Sequence, residues 1–167
     1  MKYLAFIFLI FLITISNAQN VISKYELQTI LKESLQKSRN MVSTANNNWS
    51  YDNTNDDYYK NDTIVLNSAR SFKMDCCRVI NWSFYENERC VIENANYCNE
   101  PPTKLISKKE DYVTLEIIEL CGETYIEQNN LNGILDRFKI IEFLRNKLRG
   151  IGEDEFDYTL KLFRIRK

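Results

Sequence analysis

Apolar residues recur along this chain with three different spacings, and each spacing predicts a different element. From Lys24 onward Leu27, Ile30, Leu31, Ser34, Leu35, Ser38, Met41 and Val42 fall on one stripe at spacings of three and four, while Lys24, Glu33, Lys37 and Arg39 fall off it. That is the period of an amphipathic helix of about twenty residues. Ser23-Lys24-Tyr25-Glu26 opens it as a capping box, with Ile22 placed to staple onto Leu27. The stripe then vanishes. Residues 46–62, NNNWSYDNTNDDYYKND, hold no aliphatic side chain, which reads as a flexible polar loop.

Beyond the loop the period shortens to two. Phe72, Met74, Cys76, Ile80, Trp82 and Phe84 alternate with Lys73, Asp75, Cys77, Asn81 and Ser83, the mark of a strand with one buried face. Glu86-Asn87 suits a turn from which Arg89 to Glu93 returns antiparallel, and Pro101-Pro102 closes this unit because neither proline donates to a ladder. Leu105 to Ser107 is a weaker strand and Tyr112 to Cys121 a strong β-branched one, joined by Gly122-Glu123 to Thr124 to Gln128. At Leu131 the helical spacing returns through Ile134, Leu135, Phe138, Ile141, Leu144 and Leu148, with Gly150 suited to the position past a helix end. Asp157 to Arg166 resumes as a strand. The order predicts an α+β fold: an antiparallel meander of five to six strands, an N-terminal helix and a C-terminal helix packed on one face, and a closing strand at the C-terminus.

The first residues change the picture. Lys2, the thirteen-residue apolar run Tyr3 to Ile15 and the small residues Ser16-Asn17-Ala18 predict a cleavable signal peptide over 1–18, since a bilayer span needs about 20 apolar residues. Residues 19–167 are then a single domain, secreted or periplasmic, with no membrane insertion after cleavage. Export places the five cysteines, Cys76, Cys77, Cys90, Cys98 and Cys121, where disulfides persist. An odd count leaves one thiol over. The preferred pairing is a local Cys90–Cys98 bridge with Cys121 joined to Cys76 or Cys77.

Several chemistries are excluded. The chain has no histidine, four glycines and net charge −1, so imidazole-based nucleophilic catalysis, Gly-rich phosphate loops and an electrostatic case for nucleic acid all fail. No C-x-x-C spacing supports zinc, and the Asp- and Asn-rich loop from Asp52 to Asp62 lacks the EF-hand register. Neither a metal nor a cofactor is expected. Glu116 and Glu119, the best strand carboxylates, are three apart and point to opposite faces.

Two features remain. Arg78 occupies the inward phase between Cys76 and Ile80, where a bulge turning it outward, an ion pair with Glu116 or Glu119, or an anion-binding role would explain it. Trp49, Tyr51, Tyr58 and Tyr59 sit among Asn, Ser and Asp, the mixture that paratope loops use. Either the rings contact a partner or they fold back over the sheet. Sequons stand at Asn48, Asn61 and Asn81. Together these features predict a small exported non-enzymatic domain binding a protein or glycan, as an inhibitor, immunity-type partner or envelope accessory. The alternatives are a carboxylate-dependent hydrolase and a carrier of a small apolar or anionic ligand in a cavity between sheet and helix.

Overall fold

The computed structural model describes residues 22–39, 48–68, 77–101, 103–104, 108–147 and 156–166. The signal-peptide segment and Cys76 lie outside the described residues. One helix, α1 (Lys24–Arg39), is followed by β1 (Asn48–Asp52), β2 (Thr63–Ser68), β3 (Arg78–Glu86), β4 (Arg89–Asn96), β5 (Thr103–Lys104), a single 3₁₀ turn (Lys109–Asp111), β6 (Tyr112–Leu120), β7 (Glu123–Asn130), β8 (Gly133–Lys147) and β9 (Phe156–Arg164). Neighbouring strands run in the order β3-β1-β2-β9-β8-β7-β6-β4, and β3 also pairs with β4, so eight antiparallel strands close on themselves. The short β5 adds two residue pairs to β4.

A closed barrel replaces the expected open meander with two helices on one face. The C-terminal helix is overturned: residues 133–147 form β8, paired to β7 on one side and β9 on the other, while Leu148 and Gly150 lie outside the described residues. In β8 the buried residues are Phe138, Ile140 and Phe143, spaced by two and then by three. A bulge between Ile140 and Glu142 inserts one residue and returns Phe143 to the inside. That mixed spacing imitates a helical stripe. Leu131, Ile134, Leu135 and Leu144, which completed the imitation, are exposed, Leu131 by 85%. The polar segment 46–62 likewise contains a strand, because Trp49 and Tyr51 alternate inward in β1 while opposite β3.

The inner face is filled. Ile64, Leu66, Ile80, Trp82, Ile92, Leu115, Ile117, Ile126, Phe138, Ile140 and Leu162 belong to one cluster, with the Trp82 and Phe138 rings 5.8 Å apart. Eight strands enclose a lumen about wide enough for side chains alone. α1 covers the end where the β3–β4 and β6–β7 turns lie. Its start has the expected cap, with Glu26 N donating to Ser23 Oγ at 3.2 Å. Leu27, Ile30, Leu31 and Leu35 pack into the barrel cluster, each worth about 1.5–3 kcal/mol of burial. Gln28 Nε2 reaches Glu88 Oε1 in the β3–β4 turn, and Thr124 Oγ1 donates to Ile22 O.

The opposite end is closed by the β1–β2 connection. Asn53 Oδ1 accepts the backbone N–H groups of Asp57 and Tyr58, a local turn of the kind Asn side chains favour. This turn inserts Tyr58, whose hydroxyl accepts from Trp82 Nε1 at 2.9 Å deep in the barrel. Tyr51 Oη donates to Asp57 Oδ1 and accepts from Asn61 Nδ2. The polar composition of the segment therefore supplies internal hydrogen bonds.

The preferred disulfide pairing is also corrected: Cys77 bonds Cys98, with Cα atoms 5.0 Å apart. Cys90 is free and buried, and Cys121 is free and exposed. Cys90 and Cys98 lie eight positions apart along and just beyond one extended strand, about 26 Å at strand rise, well outside bridging reach.

Candidate functional site

At the loop end, the inner phase of several strands stops being apolar. Arg78 begins β3 on the same phase as Ile80 and Trp82, and Arg164 ends β9 on the same phase as Leu160 and Leu162. Asp136 precedes Phe138 on that phase in β8, while Asn94 and Asn96 follow Ile92 in β4. A polar layer thus lies over the packed core, and the Tyr58 loop divides it into two clefts.

The smaller cleft, about 240 Å³, is lined by Asn53, Asp56, Arg78, Asn94, Asn96 and Thr103. Arg78 and Asn96 are register partners across β3 and β4. Asn53 N donates to Arg78 O at 2.9 Å, and Tyr97 N donates to Cys77 O at 2.8 Å. The Cys77–Cys98 bond sits just outside this pair and ties the two strand ends together. Asn96 Oδ1 is turned to accept Cys98 N at 3.1 Å. Of the three accounts for Arg78, the bulge is not seen among the described residues, where the β3–β4 irregularity lies at Phe84–Glu86. An ion pair with β6 is absent as well: Glu116 is opposite Glu127 and Glu119 opposite Thr124. Among the described residues no carboxylate stands at ion-pair distance from the exposed Arg78.

The larger cleft, about 410 Å³, is lined by Tyr59, Ile134, Leu135, Asp136, Arg137, Arg164, Ile165 and Arg166. Arg164 is only 6% exposed. Its Nη1 donates to Asp136 Oδ2 and its Nη2 to Tyr58 O, both at 2.8 Å. Its guanidinium lies 5.0 Å from the Phe138 ring centroid, 5.2 Å from that of Tyr58 and 6.0 Å from that of Tyr59, within cation–π range. Nε is buried without a hydrogen-bond partner. Burial pushes the Asp136 carboxyl above its usual range against the opposing pull of Arg164 and Arg166. Burial also holds the Tyr58 phenol well above the ordinary tyrosine range.

Of the four aromatic residues expected to present a binding surface, Trp49, Tyr51 and Tyr58 lie in the core, and Trp49 stacks on Tyr158 at 6.2 Å. Tyr59 alone is exposed, by 58%, and it borders the larger cleft. Among the described residues no cluster of three His, Cys, Asp or Glu side chains is arranged to hold a metal ion. Arg164 and Asp136 were not anticipated. Arg164 carried the same signal as Arg78, a charge on the apolar phase of a strand, whereas Asp136 was hidden by the helical reading of β8. Comparison of the chain with family models, curated proteins and solved structures returns no match.

Proposed function

We propose that this chain is an exported, non-enzymatic β-barrel that binds an acidic glycan, or a similar hydroxylated carboxylate, through the Arg78 cleft. The observation that carries the reading is Arg78 itself, an exposed cation without an ion-pair partner among the described residues, in a cleft it shares with side-chain amides, a hydroxyl and the Asp56 carboxylate, which pairs with Lys60. Asn94, Asn96 and Thr103 supply both donors and acceptors, the requirement for sugar hydroxyls, while a guanidinium pairs with a carboxylate in a fixed fork. The disulfide supports export, because such bonds persist in oxidising compartments. No helix among the described residues is long and apolar enough to cross a membrane. A hydrolase would need two convergent carboxylates, yet Glu116 and Glu119 lie on opposite faces of β6, and Asp56 is the one carboxylate lining this cleft. A carrier site between sheet and helix is disfavoured, since the α1 stripe packs directly on the barrel.

Calorimetric titration with uronic-acid oligosaccharides and with neutral glucose oligomers tests this. Saturable binding of the acidic series, at least tenfold tighter than the neutral one and reduced at least tenfold by Arg78→Gln, is expected from one charge-assisted contact of about 1.5–3 kcal/mol. Equal binding by the variant and the native protein would remove the cleft from consideration.

A further inference from the structure

We propose that the larger cleft is a second, separate binding site, for a carboxylate carried on a medium-length alkyl chain. It shares no lining residue with the Arg78 cleft, so the two readings stand or fall independently. Four large apolar side chains, Tyr59, Ile134, Leu135 and Ile165, converge on it while remaining between 37% and 58% exposed. Apolar surface gathered in a concavity of a few hundred Å³ is what small-ligand sites share. Three guanidiniums, those of Arg137, Arg164 and Arg166, line the cleft together with the Asp136 carboxylate. Asp62 and Glu127, which pair with Arg166 and Arg137, are not part of the lining.

The division of labour within the cleft follows from burial. Arg164 has Asp136 and Tyr58 O as partners, and its remaining buried Nε leaves the floor of the cleft short of acceptors. Arg137 and Arg166 stand at the rim about half exposed, and each guanidinium has five N–H donors, more than its carboxylate partner occupies. A ligand carboxylate therefore fits at the rim while its chain lies along Ile134, Leu135 and Ile165. A bare inorganic anion leaves that apolar wall in water. A neutral hydrocarbon forgoes the guanidiniums, and a cation finds in the lining only the Asp136 carboxylate, which Arg164 already holds.

Decanoate is the probe, with decanol testing the chain without the charge and butyrate the charge without the chain. Decanoate should bind saturably below its micellar range, shifting the backbone amide resonances of Tyr59, Ile134 to Arg137 and Arg164 to Arg166, and at least tenfold more tightly than either control. Arg166→Gln changes a rim side chain whose partner, Asp62, is itself about half exposed, and should weaken decanoate at least tenfold without altering decanol. Leu135→Asp should weaken both. Unchanged melting temperatures for these variants show that the barrel is intact. Equal affinity for decanol and decanoate, shifts centred on the helix end, or no saturable binding would each overturn the proposal.

Discussion

Arg78 and Arg164 break the same rule and resolve it in opposite ways. Both sit on the inner phase of a barrel strand at the loop end, where the alternation demands an apolar residue. Arg164 is sealed beneath the Tyr58 loop, satisfied by Asp136 and a backbone carbonyl and surrounded by aromatic rings. Arg78 is left at the surface, and the covalent brace beside it fixes the strand ends while leaving the guanidinium free of any described carboxylate. A charge on an inward phase thus has two stable outcomes. Burial makes it part of the closure of the barrel, and exposure at a strand end leaves it available for the recognition role proposed above.

The contrast breaks most visibly at Arg164. Replacing it with Met leaves Asp136 and Tyr58 O without their donor in a largely buried setting, so Arg164→Met should cost about 3–5 kcal/mol in chemical unfolding. A loss below 1 kcal/mol would mean that the loop closes the barrel without this pair. The Arg78 side is sharpened by the disulfide. Closing a loop across a sequence separation of 21 residues corresponds to about 3 kcal/mol in the chain-entropy account. Cys77→Ser with Cys98→Ser should therefore lower stability by about 3 kcal/mol, and hydrogen exchange should quicken first at Arg78 and Asn96. Uniformly faster exchange around the whole barrel would contradict a local brace.

Legibility followed physical locality. The α1 cap, its stripe and the strands β3, β4, β6 and β7 were readable because their signals lie within a few residues. β8 was not, since a bulge is invisible in sequence and turned a period of two into an apparent helical one. Closure was not readable either. It depends on β1 joining β3 to β2, and β1 is carried by two aromatic residues in a polar segment. The Arg78 anomaly was readable from phase alone, and the same test applied to Leu160, Leu162 and Arg164 finds the second cleft. Asp136 became readable only once β8 was known to be a strand.

A smaller effect concerns the proton on Tyr58. Burial raises its phenol pKa above the unfolded value near 10, so the folded chain retains a proton that the unfolded chain releases. Stability from this group is complete below pH 10 and falls as pH rises beyond it, by about 1.4 kcal/mol per pH unit for one proton. Cys90, raised by burial in the same direction from 9.0, adds to the fall. Tyr58→Phe should make the alkaline limb shallower by one proton while losing the Trp82 hydrogen bond at neutral pH. An unchanged alkaline slope would show that Tyr58 is not sealed from solvent.

The smallest expected effect on stability belongs to Arg78, and it separates the two arginines most cleanly. Its side chain is exposed and its anchoring contacts are made by the backbone, through Arg78 O to Asn53 N and through the neighbouring Cys77. Arg78→Gln keeps the strand, the disulfide and the register with Asn96, so unfolding free energy should move by no more than about 0.5 kcal/mol, as for surface substitutions without buried partners. The same substitution removes the one cation of the smaller cleft, so loss of acidic-glycan binding at constant stability would assign the residue to recognition. A destabilisation approaching that of Arg164→Met would instead make Arg78 a second structural closure, and the division between the two arginines would collapse.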